Sequence, residues 1–142
     1  MKRIYLDTSS LVKAYHKEPD SDKIIKTLPQ YQAVFLSELT KIEFISAFWK
    51  KVRYEKTKEA EAKEAIRLFE NDYPKFNWVI IDREIIRSAK ELLTQYREMG
   101  LRTLDSIQLA CAVSLKDETV QFLTSDKILQ KIMEMEGLSV VL

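Results

Sequence analysis

The 142-residue sequence holds one cysteine, one histidine and two glycines. A single thiol, Cys111, excludes a disulfide within the chain, and His16 adds too little for a Cys/His zinc site. Gly100 and Gly137 stand far apart, so neither of the common glycine-rich phosphate loops can form. No apolar run approaches the roughly 18 residues of a membrane-spanning helix. The apolar run after Met1-Lys2-Arg3 stops at Asp7, too short for a secretion signal. A cytoplasmic, reducing location with no membrane partner is therefore expected.

Charge of one sign is not in excess either. Lys plus Arg total 23 and Asp plus Glu total 22, for a formal net charge of +1. A nucleic-acid partner would therefore need locally segregated basic residues. The apolar share of 46% and charged share of 32% describe a globular balance. The length fits one domain over residues 1–142, able to bury roughly two-thirds of its unfolded surface.

Apolar patterning divides the chain into short strands and longer helices. Ile4 to Leu6, Ala33 to Leu36, Trp78 to Ile81, Thr119 to Leu123 and Leu138 to Leu142 read as strands. Thr8, Ser9 and Ser10 are N-cap candidates for a first helix that ends before Pro19. A second follows Asp20 or Ser21, with Ile24, Ile25 and Leu28 inward. A third begins at Ser37, with Leu39, Ile42, Ile45 and Phe48 or Trp49 as its apolar stripe. Thr57 to Asn71, Asp82 to Met99, Arg102 to Leu115 and Lys127 to Met135 complete the helices. Alternation of this kind predicts an α/β fold with a mostly parallel sheet.

Four acids interrupt apolar surroundings: Asp7 in Ile-Tyr-Leu-Asp-Thr-Ser-Ser, Glu43 in Lys-Ile-Glu-Phe, Asp105 in Thr-Leu-Asp-Ser-Ile-Gln, and Asp126 in Leu-Thr-Ser-Asp. Asp7 and Asp126 follow strands, and sites in open α/β sheets form at the carboxyl ends of strands. Four carboxylates brought together repel one another. At about 4 Å and an effective dielectric of about 20, each pair costs on the order of 4 kcal/mol. Protonation, water or a cation must relieve that cost. Oxygen-only donors favour Mg²⁺ or Mn²⁺, which can supply a nucleophilic water and stabilise phosphoryl oxygens.

Each acid also has a plain structural explanation. Asp7 and Asp126 can cap helices, Asp105 suits a helix N-terminus, and Glu43 can pair with Lys41 or Lys50. Glu38 lies about 140° around the helix from Glu43 at about 100° per residue, so it reads as a cap-side acid. Lys13, Lys17, Lys41, Lys50, Lys51, Arg53 and Lys56 form a candidate basic rim, against an ordinary solvated surface. Arg102 either contacts substrate phosphate or pairs with an acid of the site. Tyr5, Trp49, Trp78, Phe122 and Cys111 read as core, and His16 as a surface residue at a helix end. Asp7-Thr-Ser lacks the second nearby acid of an aspartyl-phosphate motif.

Order and context of the four acids add to this. The stretches Ile-Tyr-Leu-Asp-Thr-Ser-Ser-Leu-Val-Lys, Ser-Glu-Leu-Thr-Lys-Ile-Glu-Phe, Leu-Arg-Thr-Leu-Asp-Ser-Ile-Gln-Leu-Ala and Phe-Leu-Thr-Ser-Asp-Lys-Ile-Leu resemble the PIN-domain family, and within it the VapC-type toxin ribonucleases. The resemblance spans nearly the whole chain and implies a three-layer α/β/α domain. It implies that Asp7, Glu43, Asp105 and Asp126 form the catalytic cluster holding Mg²⁺ or Mn²⁺, with Asp7 and Asp105 the firmest ligands. Ser9 and Thr124 would support the ligands by hydrogen bonding. The implied activity is metal-dependent cleavage of RNA. The implied partners are a cognate antitoxin and a second copy in a homodimer. A non-toxin RNA-processing nuclease, or a PIN-like module that only binds RNA or protein, stays open as the alternative.

Overall fold

In a computed structural model, residues 2–141 are described. The strands are β1 (Arg3–Leu6), β2 (Ala33–Ser37), β3 (Asn77–Val79), β4 (Val120–Leu123) and β5 (Ser139–Val140). The α-helices are α1 (Thr8–Tyr15), α2 (Ser21–Thr27), α3 (Leu39–Tyr54), α4 (Glu59–Asp72), α5 (Arg83–Gln95), α6 (Thr103–Ser114) and α7 (Lys127–Met135). All strand pairs are parallel, in the order β3-β2-β1-β4-β5. Arg3 is in register with Ala33 on one side and with Val120 on the other. Strand order thus reverses between β1 and β4, and a crevice opens at the carboxyl ends of such a pair.

The centre of the sheet is buried on both faces, as a fully parallel sheet requires. Tyr5 packs with Phe122 and buried residues of α5, α6 and α7. Ile4 and Leu6 point the other way, into a core with Phe44, Phe48, Phe69 and residues of α1 and α2. Successive strand side chains alternate faces, so three residues of β1 serve two helical layers. The result is the α/β/α sandwich expected from the sequence. Phe44 and Phe69 have ring centroids 4.3 Å apart and join α3 to α4. Truncating either to alanine costs about 3–5 kcal/mol in a core of this kind.

Several local expectations need correction. The cap of α1 is Asp7, whose side chain accepts from the Ser10 amide, so Thr8, Ser9 and Ser10 lie inside the helix. In α2, Ile24 is buried while Ile25 is 52% exposed. In α3 the buried positions are Thr40, Phe44, Phe48 and Lys51, whereas Ile42 is 70% exposed. The inner stripe is shifted because two polar side chains occupy it. Ser37 ends β2 and its hydroxyl accepts from the Leu39 amide. β3 stops at Val79 and leaves Ile80 exposed. The last residue of the expected terminal strand, Leu142, lies outside the described residues.

Candidate metal-dependent active site

Asp7 leaves β1 with 5% of its surface exposed. Both of its carboxylate oxygens lie 2.8 Å from the Ser9 hydroxyl. The Thr124 hydroxyl donates to Oδ2 at 2.7 Å. Burial pushes the carboxyl up to about 6, against the lowering effect of these donors, with a further upward contribution from the Glu43 charge. A buried carboxylate with three donors and no basic partner is a group prepared for a cation.

Thr124 and Ser9 do more than contact Asp7. The Asp126 amide donates to Thr124 Oγ1 at 3.0 Å, and the Ser125 amide to Ser9 Oγ at 3.0 Å. The two hydroxyls therefore pin the link after β4 against the start of α1. Asp126 caps α7 by accepting from the Leu129 amide. One carboxylate oxygen is thereby engaged in a structural role.

Glu43 is half-buried on α3 and accepts from Thr8 Oγ1 and Gln108 Nε2, each at 2.7 Å. Burial raises its carboxyl, those two donors oppose the rise, and the charge on Asp105 adds to it. Asp105, in the first turn of α6, is raised by burial and then by the charge of Asp126, with Arg102 acting against them. Like-charge coupling therefore runs in sequence from Asp7 to Glu43, to Asp105, to Asp126. Four separate elements bring the predicted acids to one edge of the sheet.

Among the described residues, no three His, Cys, Asp or Glu side chains close on a common ion-sized centre. The donor set is all oxygen, and softer metals have no ligand there. Beside it, Glu43 and Asp105 border an open groove of about 600 Å³ with Arg102, Leu101 and Leu104.

Arg102 is 83% exposed and its Nε is 3.8 Å from Asp105 Oδ2, a loose pair at the groove mouth. Glu38 pairs with Lys41 at 2.9 Å and takes no part in the cluster. Two members of the expected basic rim are committed elsewhere. Lys51 is buried, 3.1 Å from Glu18 and 3.5 Å from Glu55. Lys41 lies 4.4 Å from the centre of the Trp78 ring.

Thr8, Thr40 and Gln108 join the site without having stood out in the sequence as site residues. Gln108 Nε2 contacts Thr8 Oγ1 at 3.1 Å, Thr40 Oγ1 at 3.0 Å and Glu43 Oε1 at 2.7 Å. Its carbonyl oxygen receives the Tyr5 hydroxyl. The available signal was a glutamine three residues after Asp105 within the otherwise apolar run Ile-Gln-Leu-Ala.

A family model described as the PIN domain matches residues 4–134. No curated protein sequence matches significantly. Among solved structures, FitAcB from Neisseria gonorrhoeae is similar with a TM-score of 0.71 and 16% identity, covering 98% of this chain and 96% of that one. VapC20 from Mycobacterium tuberculosis, described as a sarcin–ricin-loop-cleaving toxin, gives a TM-score of 0.70 and 13% identity over 91% of this chain and 94% of that one. VapBC2 from Rickettsia felis, solved with a promoter DNA fragment, gives 0.67 and 14% over 98% and 97%. At these identities the likeness is one of fold.

Proposed function

Because the chain belongs to the PIN domain family, we propose that it is a metal-dependent endoribonuclease, the toxin of a VapBC-type toxin–antitoxin pair. The observation that supports this reading is the gathering of four carboxylates at the carboxyl edge of the sheet: Thr124 bonds both Asp7 and the Asp126 amide, Thr8 beside Asp7 bonds Glu43, and Glu43 shares a groove with Asp105. Such a set is unfavourable by itself and becomes useful with a divalent cation.

Asp7 and Asp105 would hold Mg²⁺ or Mn²⁺, with Asp126 acting directly or through water and Glu43 binding through water or positioning the attacking water. The bound cation would stabilise charge on phosphoryl oxygens and lower the pKa of an attacking water. Ser9 and Thr124 fix the Asp7 carboxylate, and Thr8 and Gln108 fix that of Glu43. Holding carboxylates in place before substrate arrives avoids reorganisation during reaction. Arg102, exposed at the groove mouth, would meet a phosphate of the RNA.

A cognate antitoxin as partner is supported by the toxin–antitoxin complexes among the structural neighbours. An antitoxin arginine reaching the acids would satisfy the same charge imbalance as the cation. A homodimer and a cytoplasmic setting belong to the same reading. None of the helices is long and apolar enough to cross a membrane, among the described residues.

The test is cleavage of labelled RNA by the parent, Asp7→Asn and Asp105→Asn proteins, with Mg²⁺ or with EDTA. Cutting that needs both carboxylates and the metal is the expected result. Equal cutting by folded variants would overturn the assignment. Failure of the parent on a broad RNA panel would favour a module that binds without hydrolysing.

A further inference from the structure

The chain as a whole is nearly neutral, so any polyanion site requires basic residues to be gathered in one place. They are gathered beside the acids, though only partly where the sequence pointed. A groove of about 200 Å³ runs between α1, α2 and α7, with Lys13, Lys23 and Lys127 on its walls and Asp20 as its acid. Thr124 and Ser125 line it at the end of β4.

Acidic side chains engage these three lysines only slightly. Among the described residues, Lys23 and Lys127 have no ion-pair partner. Lys13 lies 3.8 Å from Asp20, too far for a hydrogen bond. Its side chain is only 18% exposed, so its position is held by packing. Lys13 and Ser125 also line an adjoining depression with Ser9, Lys50 and Lys51, but Glu18 and Glu55 offset the lysines there, so the basic wall ends at Lys13.

We propose that this groove binds consecutive backbone phosphates of a single-stranded RNA segment that flanks the scissile bond, through Lys13, Lys23 and Lys127. The inference rests on the nuclease reading of the neighbouring acids. Thr124 supplies the link, because it lines the groove and donates to Asp7 at 2.7 Å. One residue separates the basic wall from the carboxylate edge. A lone small anion near that edge would feel the repulsion of four carboxylates. A phosphate polymer satisfies both regions, with one phosphate at the metal-binding edge and its neighbours on the lysines. The lysines would then contribute binding and strand position, without acting on the reacting atoms.

The probe is a fluorescein-labelled oligouridylate, bound to protein carrying Asp105→Asn so that it is not consumed. In that background Lys23→Ala/Lys127→Ala is expected to weaken binding about tenfold at low salt. The slope of log affinity against log salt should fall by about 0.7 for each phosphate that the variant no longer neutralises. Lys63→Ala/Lys90→Ala removes equal charge away from the groove and should leave both quantities unchanged. With Asp105 intact, the groove double variant should raise KM for RNA cleavage and leave kcat within about twofold.

Unchanged affinity and slope in the groove variant would overturn the proposal, as would an equal loss in the control pair. So would an oligoglutamate that binds with the same lysine dependence while oligouridylate does not, which would mark an acidic protein surface as the occupant. The two readings separate cleanly. Lysine-dependent binding by a parent that never cuts RNA would sink the nuclease and keep the groove. Metal-dependent cutting indifferent to the lysines would do the reverse.

Discussion

The Gln108 side-chain amide donates to Glu43 Oε1 at 2.7 Å while its carbonyl oxygen receives the hydroxyl of buried Tyr5. The Tyr5 contact fixes which end of the amide faces Glu43. A residue from the centre of the sheet therefore orients a carboxylate on α3 through a side chain of α6. Tyr5 is fully buried and Glu43 half-buried, so losing a partner is costly to both.

Gln108→Ala is expected to lower stability by about 2–3 kcal/mol, since it leaves a cavity and deprives Tyr5 and Glu43 of partners. Cleavage should fall further than stability explains, with a higher Mg²⁺ requirement. Denaturant unfolding and a Mg²⁺ titration of cleavage check the two parts. A wild-type metal requirement in the folded variant would remove Gln108 from the site.

Asp7 and Asp126 each cap a helix as well as belonging to the acidic edge. Asparagine caps about as well as aspartate. Asp126→Asn should therefore keep native stability and lose much of the cleavage, whereas Asp126→Ala should lose about 1 kcal/mol as well. Thermal unfolding beside RNA cleavage distinguishes the two variants. If the asparagine form cut RNA like the parent, Asp126 would be a cap alone.

The pH response follows from the direction of the acid shifts. Asp7 titrates near 6 in the native protein, against an ordinary 3.8, and Glu43 and Asp105 are also raised. Between about pH 4 and about pH 6 the native state holds a proton that the unfolded chain has released. Metal-free protein should thus gain stability as pH falls through that window and lose it as pH rises. For Asp7 alone the span is on the order of 3 kcal/mol. Asp7→Asn should flatten the profile, and a Tm series in EDTA measures it. Mg²⁺ should reverse the trend, because it competes with those protons.

Lys51 provides a negative prediction for substrate binding. It is buried against Glu18, whose Oε2 lies 3.1 Å away without hydrogen-bond geometry. Lys51→Met should cost about 1–3 kcal/mol by leaving Glu18 unpaired. Affinity for oligouridylate should not change in the folded variant. A loss of affinity without a loss of stability would restore Lys51 to the rim.

The sequence by itself determined the alternating α/β order, the strand positions near β1, β2 and β4, and the four acids. Short apolar runs ending in polar residues leave few other structures, and a carboxylate set among apolar neighbours stands out. The fold decided what lay between elements. Thr40 and Gln108 occupy inward helical positions that a hydrophobic pattern assigns to apolar side chains, and with Thr40 and Lys51 inward the buried face of α3 turns away from Ile42. Their burial is tolerated because each finds hydrogen-bond partners across the sheet edge, over 68 residues of sequence in the case of Gln108 and Thr40. The same holds for the lysines. Nothing local separates Lys51 from Lys23, and only the packing of α1, α2, α3 and α7 buries one charge and leaves the other in a groove. Residue type supplied the chemistry that was available. Parallel pairing of β1 with β4 brought it together, because that switch point gathers the ends of distant segments into one crevice.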